Sequence, residues 1–190
     1  MIQLTQDLKL YFKNPKLEKD SNINFIYRFK ILVLLTILSL FSSFFISFVI
    51  SFIEILGFVE LGKHSIEELF EGENHSTFDI LLFAVVYAPI LEELIFRAPL
   101  TLFKNPAYFK YAFYVFALLF GYMHIFNYQD LNSNIILFSP ILVAPQVVVG
   151  LYLGFIRIKF GLQWSIALHA LFNGILMSLF ILAKDAITQI

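Results

Sequence analysis

Uncharged apolar runs alternate with short charged breaks along this 190-residue chain. The first long run, 31–53, holds 23 residues without a charge. At about 1.5 Å per residue, a helix of that length crosses a hydrocarbon core of about 30 Å. Further runs follow at 80–91, 111–129, 131–156 and 162–183. The run at 80–91 reaches spanning length only if its helix continues through "EELIFRAPLTLF" to Phe103. Asn105 before Pro106 places a turn in "KNPAYFK", and Pro140 and Pro145 are expected to delay or kink the fourth helix. The pattern predicts an all-α, polytopic membrane bundle of about five transmembrane helices, with no internal repeat and no soluble second domain.

The flanks divide the chain into residues 1–30, a polar tail or interfacial helix, and 31–190, the transmembrane bundle. Leu4, Leu8, Tyr11 and Phe12 fall near one helical face that Asn14 and Pro15 would end. The run at 31–53 is too long for a signal-peptide core and lacks a small-residue cleavage site, so it is expected to stay as an anchor. Residues 54–79 carry seven acidic side chains and one lysine, a solvated loop by composition. Lysine and arginine are concentrated in alternate loops: six in 1–30, then Lys104 and Lys110, then Arg157 and Lys159. The positive-inside rule then puts the N-terminus in the cytoplasm and makes the chain an integral membrane protein.

Composition agrees. Hydrophobic residues make up 59% of the chain and charged ones only 14%, where soluble domains carry about a quarter. A net charge of −1 argues against a nucleic-acid partner, which would demand a basic surface. The absence of cysteine removes thiol nucleophiles, thiolate zinc sites and disulfides.

Against this apolar background, charge at bilayer depth persists only where it is partnered, hydrated or functional. Glu92, Glu93 and Arg97 fall in the second run, His124 in the third, and His169 with Asn173 in the fifth. Counted from Lys104, Lys110 and Lys159, the positions of Glu92, His124 and His169 lie about 18, 21 and 15 Å deep, so three packed helices can gather them. Glu93 and Arg97 stand four residues apart and can pair, whereas Glu92 is rotated from Glu93 by about 100°. His169 and Asn173 share a face in the same way, and Phe120 lies one turn before His124. Each of these also has a structural reading. A transmembrane histidine can be an interhelical hydrogen-bond partner, and Glu93 with Arg97 a structural ion pair. The unpaired Glu92, at the depth of two histidines and an asparagine, favours a site. Asn127, Gln146, Gln163 and the serines of "SLFSSFFISFVIS" are assigned to caps and helix packing, His64 and His75 to the solvated loop, and Trp164 to an interfacial anchor.

No H-E-x-x-H helix, G-x-S-x-G elbow or pair of membrane aspartates is present, which leaves glutamate and histidine chemistry. "EELIFR" fits E-E-x-x-x-R, "FGYMH" fits F-x-x-x-H and "HALFN" fits H-x-x-x-N, in that order on successive helices. In these motifs the chain resembles the CAAX-protease and bacteriocin-processing (CPBP, Abi) family of intramembrane endopeptidases, over about 78–183. The resemblance implies an active site inside the bundle. Glu92 would activate water for attack on a peptide carbonyl, helped by His124. His169 and Asn173 would stabilise the oxyanion, and Glu93 with Arg97 would brace the second helix. It also implies a hydrophobic or lipidated peptide substrate, membrane lipids as neighbours and, by its bacterial members, a plasma-membrane location. On its own terms the chemistry is sound: an apolar cavity makes a carboxylate a better base, and donors aimed at an oxyanion act strongly where water is excluded. Glu92, His124 and His169 would be the ligands if a zinc ion were held; the preferred reading is glutamate-dependent and needs no cofactor. Two other functions compete with it: a catalytically silent peptide-binding or bacteriocin-immunity-type protein, and a small proton-coupled carrier.

Overall fold

Prolines and asparagines set where the helices begin and break. The computed structural model describes residues 2–62, 65, 70, 76–128 and 131–188, leaving His64, His75 and most of the acidic loop outside the described residues. Its helices are α1 Ile2–Lys13, α2 Phe25–Ile55, α3 Thr77–Leu82, α4 Ala88–Phe96, α5 Pro106–Met123, α6 Ser133–Leu142, α7 Ala144–Phe160 and α8 Leu162–Thr188. Asn24 caps α2 by accepting from Tyr27 N–H, and Asn105 caps α5 by accepting from Ala107 N–H with Pro106 as the first helical residue. α6 and α7 meet at a turn on Val143, two residues before Pro145, as the fourth run's prolines predict.

Four helical stretches among the described residues are long and apolar enough to cross a membrane: Phe25–Ile55, Pro106–Asn127, Ser133–Phe160 and Leu162–Lys184. The expected helix to Phe103 is instead a composite. α3 runs into a π-helical segment, Phe83–Tyr87, then into α4, and the second run ends in a 3-10 helix, Ala98–Leu102. Pro99 accounts for the end of α4, since it supplies no N–H and restricts Ala98 before it.

The bundle closes around α7, which packs on α2, α5 and α8. Phe109, Phe113 and Phe120 on α5 meet Val149, Leu153 and Ile156 on α7, all buried. Gly150 and Gly154 permit this approach: a Cβ on Gly154 would lie 2.7 Å from the Phe113 ring, and one on Gly150 3.1 Å from Arg97 Nη2. The four-residue glycine spacing is the small-x-x-x-small pattern of close membrane helices. α1 lies against the same core through Leu4, Leu8 and Tyr11, with the Tyr11 ring edge-on to Phe113 and Phe155 at 5.5 and 5.1 Å.

Candidate active site

Glu93 faces inward from α4 and is fully buried. Its Oε1 lies 3.7 Å from Arg97 Nε and 3.1 Å from His169 Nδ1, while Oε2 accepts from Ser165 Oγ. An ionised carboxylate only accepts, so His169 Nδ1 is the donor. The ring's other nitrogen, Nε2, is left 3.8 Å from Glu92 Oε2. The imidazole thus stands between two carboxylates that are neighbours in sequence. The four-residue spacing of Glu93 and Arg97 closes as expected, and Glu93 has a further partner, His169, which helical phase on one element could not reveal. Glu92, about four-fifths buried, has no hydrogen-bond partner at Oε2 among the described residues.

Arg97 is itself buried. Its guanidinium lies 3.9 Å over the face of Phe120, and Nη2 donates to Gly150 O at 3.4 Å. Phe120 also meets both histidines, with ring centroids 4.9 Å from His124 and 5.5 Å from His169. The phenylalanine that opens the F-x-x-x-H motif is therefore a hub: cation on its face, imidazoles at its sides. His124 ends α5 and opens a 3-10 turn, and its Nδ1 donates to Phe120 O at 2.8 Å.

Asn173 is committed in a way the sequence reading missed. Its Nδ2 donates to Ala84 O at 2.9 Å. In the π-helical segment Ala88 N–H reaches back five residues to Phe83 O. The next carbonyl, Ala84 O, would look to position 89, but Pro89 has no N–H. Asn173 supplies the missing donor, and its second amide hydrogen is not involved in that bond.

A cavity of about 600 Å³ opens beside these groups. His124, His169, Asn173 and Phe120 line it, together with residues of α2, α6 and α7; Glu92 and Glu93 stand outside that lining. The structure brings Glu92, Glu93, Arg97 and His169 together directly and links His124 to them through Phe120. Among the described residues, no three histidine or carboxylate side chains gather closely enough to hold a metal. The proposed zinc donors Glu92, His124 and His169 do not form such a set.

Ser165 and Arg157 escaped the sequence reading. Ser165 Oγ bonds Glu93 Oε2 and lies 3.0 Å from Leu153 O; Arg157 Nε donates to Arg97 O at 3.2 Å. Ser165 stands one turn before His169 on the same face, the one signal that could have found it.

Membrane-length helices around a buried array of carboxylates, imidazole and guanidinium define a polytopic integral membrane protein with a polar centre inside its bundle. The chain matches the family model for the type II CAAX prenyl endopeptidase Rce1-like proteins over residues 74–175, more than half its length, and belongs to that family. Its class is therefore that of a CAAX-type membrane protease acting on a peptide or protein substrate. The match bears on the CAAX-protease side of the expected resemblance, not on its bacteriocin-processing side. No curated protein and no solved structure matched the chain.

Proposed function

We propose that this protein is an intramembrane endopeptidase in which Glu92 activates the attacking water, with the N-terminus on the cytoplasmic side. The single observation that carries the reading is the placement of His169 between Glu93 and Glu92. Glu93, held by Arg97 and Ser165, fixes the tautomer and orientation of the ring through Nδ1. Nε2, which carries the lone pair in that tautomer, is thereby directed to Glu92 and the cavity, where it can take up a proton and, once protonated, meet an oxyanion.

In the reaction, the water oxygen bonds to the scissile carbonyl carbon while Glu92 accepts the water's proton. The carbonyl oxygen becomes an oxyanion that accepts from the second amide hydrogen of Asn173 and from Nε2–H of His169 in its imidazolium form, which carries a hydrogen on both ring nitrogens. As the C–N bond breaks, the proton on Glu92 passes to the departing nitrogen, leaving a carboxylic acid and an amine. His124, on the cavity wall, assists Glu92 by positioning the water. A substrate with an apolar or lipidated, CAAX-like C-terminal segment suits a site reached from within the bilayer.

Comparative membrane peptidomics of cells carrying the wild type or Glu92→Ala tests this reading. C-terminal fragments dependent on the wild-type protein are expected; identical peptide populations would count against it.

A further inference from the structure

The cavity has a second polar wall, on a helix outside the family match. α2 contributes Ser43, Ser47 and Ser51 to the lining, followed by Glu54, and α7 contributes Gln146. Spacing by four keeps the hydroxyls on one helical face, about 6 Å apart along the axis. Burial falls along the row: Ser43 is 7% exposed, whereas Ser47, Ser51 and Glu54 are open, so the row leads inward from the Glu54 end.

Ser43 Oγ is buried and has no hydrogen-bond partner among the described residues, and neither has Gln146 Oε1. Two neighbouring hydroxyls bond the backbone of α2, Thr36 to Leu32 O at 3.0 Å and Ser42 to Leu38 O at 2.7 Å, whereas Ser39 Oγ, buried outside the cavity, has no partner among the described residues. Ser43 forgoes that bond while lining the cavity. A buried polar atom is costly to leave unbonded, so two on one cavity wall point to a ligand that bonds them.

We propose that Ser43, Ser47 and Gln146 bind the main chain of an extended peptide lying across His124, His169 and Asn173. The proposal rests on the endopeptidase reading and names where its substrate lies. A peptide entering a bundle leaves water with every N–H and C=O in need of a partner. A serine hydroxyl serves either group, and Gln146 Oε1 accepts from an N–H. An extended chain advances about 6.7 Å for every two residues, close to the serine spacing, so each serine meets one dipeptide. Ile50, Leu142, Val149, Phe172 and Leu176 line the same cavity and accommodate apolar side chains. Its volume lies within the roughly 300–1,000 Å³ of ligand sites.

The test uses a farnesylated, C-a-a-X-ended peptide carrying a benzophenone amino acid, photolysed with full-length Glu92→Ala protein in lipid nanodiscs. Adducts are expected on α2 between residues 43 and 51; adducts confined to other helices would overturn the proposal. In the active protein, Ser43→Ala and Gln146→Leu should each raise KM about 3- to 10-fold with kcat unchanged. Ser39→Ala, one turn beyond the cavity lining, should keep the wild-type KM. Thermal unfolding at the wild-type temperature establishes that the variants fold. Unchanged KM in both wall variants also overturns the proposal. If wild-type protein cleaves nothing, the endopeptidase reading fails, while the photolabelling still decides whether α2 holds the peptide.

Discussion

His169 donates its Nδ1–H to the buried carboxylate of Glu93 across 3.1 Å, so the second glutamate of the pair orients the histidine that faces the first. Glu93→Gln keeps the shape and removes the charge. Steady-state kinetics should show kcat reduced by at least about 10-fold with KM little changed, as when a histidine-orienting carboxylate becomes an amide. Wild-type kcat would leave Glu93 as a structural group only.

Arg97 neutralises Glu93 and stacks on Phe120, so its loss strands a buried carboxylate. Arg97→Ala should destabilise the fold by roughly 3–5 kcal/mol in micelles. The Arg97→Ala, Glu93→Gln double variant should be more stable than Arg97→Ala alone, because the stranded charge has gone. Denaturant titration of the two proteins compares them directly, and equal stability would dissolve the ion pair.

Asn173 and Pro89 form a testable couple through Ala84 O. Asn173→Ala leaves that carbonyl without its donor and should cost roughly 1–3 kcal/mol. Pro89→Ala restores a backbone N–H that can serve Ala84 O, so the double variant should lose less than the sum of the two singles. Strict additivity in unfolding measurements would mean that the asparagine does not compensate for the proline.

Gly150 is where α7 makes room for Arg97. A methyl group there would lie 3.1 Å from Arg97 Nη2 and 3.2 Å from Phe120 Cδ1. Gly150→Ala should cost about 1–3 kcal/mol by overpacking and lower kcat as the hub shifts. A protein with wild-type thermal unfolding and kcat would show that the contact has slack.

How far the sequence disclosed all this depended on the distance each relationship spans. The apolar runs at 31–53, 111–129, 131–156 and 162–183 are local signals, and a membrane-length helical stretch falls on each. Glu93 with Arg97 was legible because four residues make one turn. His169 as a bridge between two carboxylates was not, since its partners lie 76 and 77 positions away and depend on how α4 packs on α8. The composite second run escaped for a different reason. Pro89 and Pro99 were visible, but a proline specifies a missing donor without saying whether the helix bends, widens or stops; here Pro89 accompanies a π-helical widening and Pro99 a stop. The serines of α2 look like packing residues in sequence, and only the cavity beside them separates Ser43 from Ser42.

The central claim is that Glu92 is the base. Its most direct test is cleavage of a farnesylated, C-a-a-X-ended peptide in proteoliposomes by Glu92→Gln beside the wild type, both folded by thermal unfolding. The wild type is expected to release the C-terminal fragment, and the variant to do so at a rate lower by roughly 10²- to 10⁴-fold; equal rates would contradict the role of Glu92.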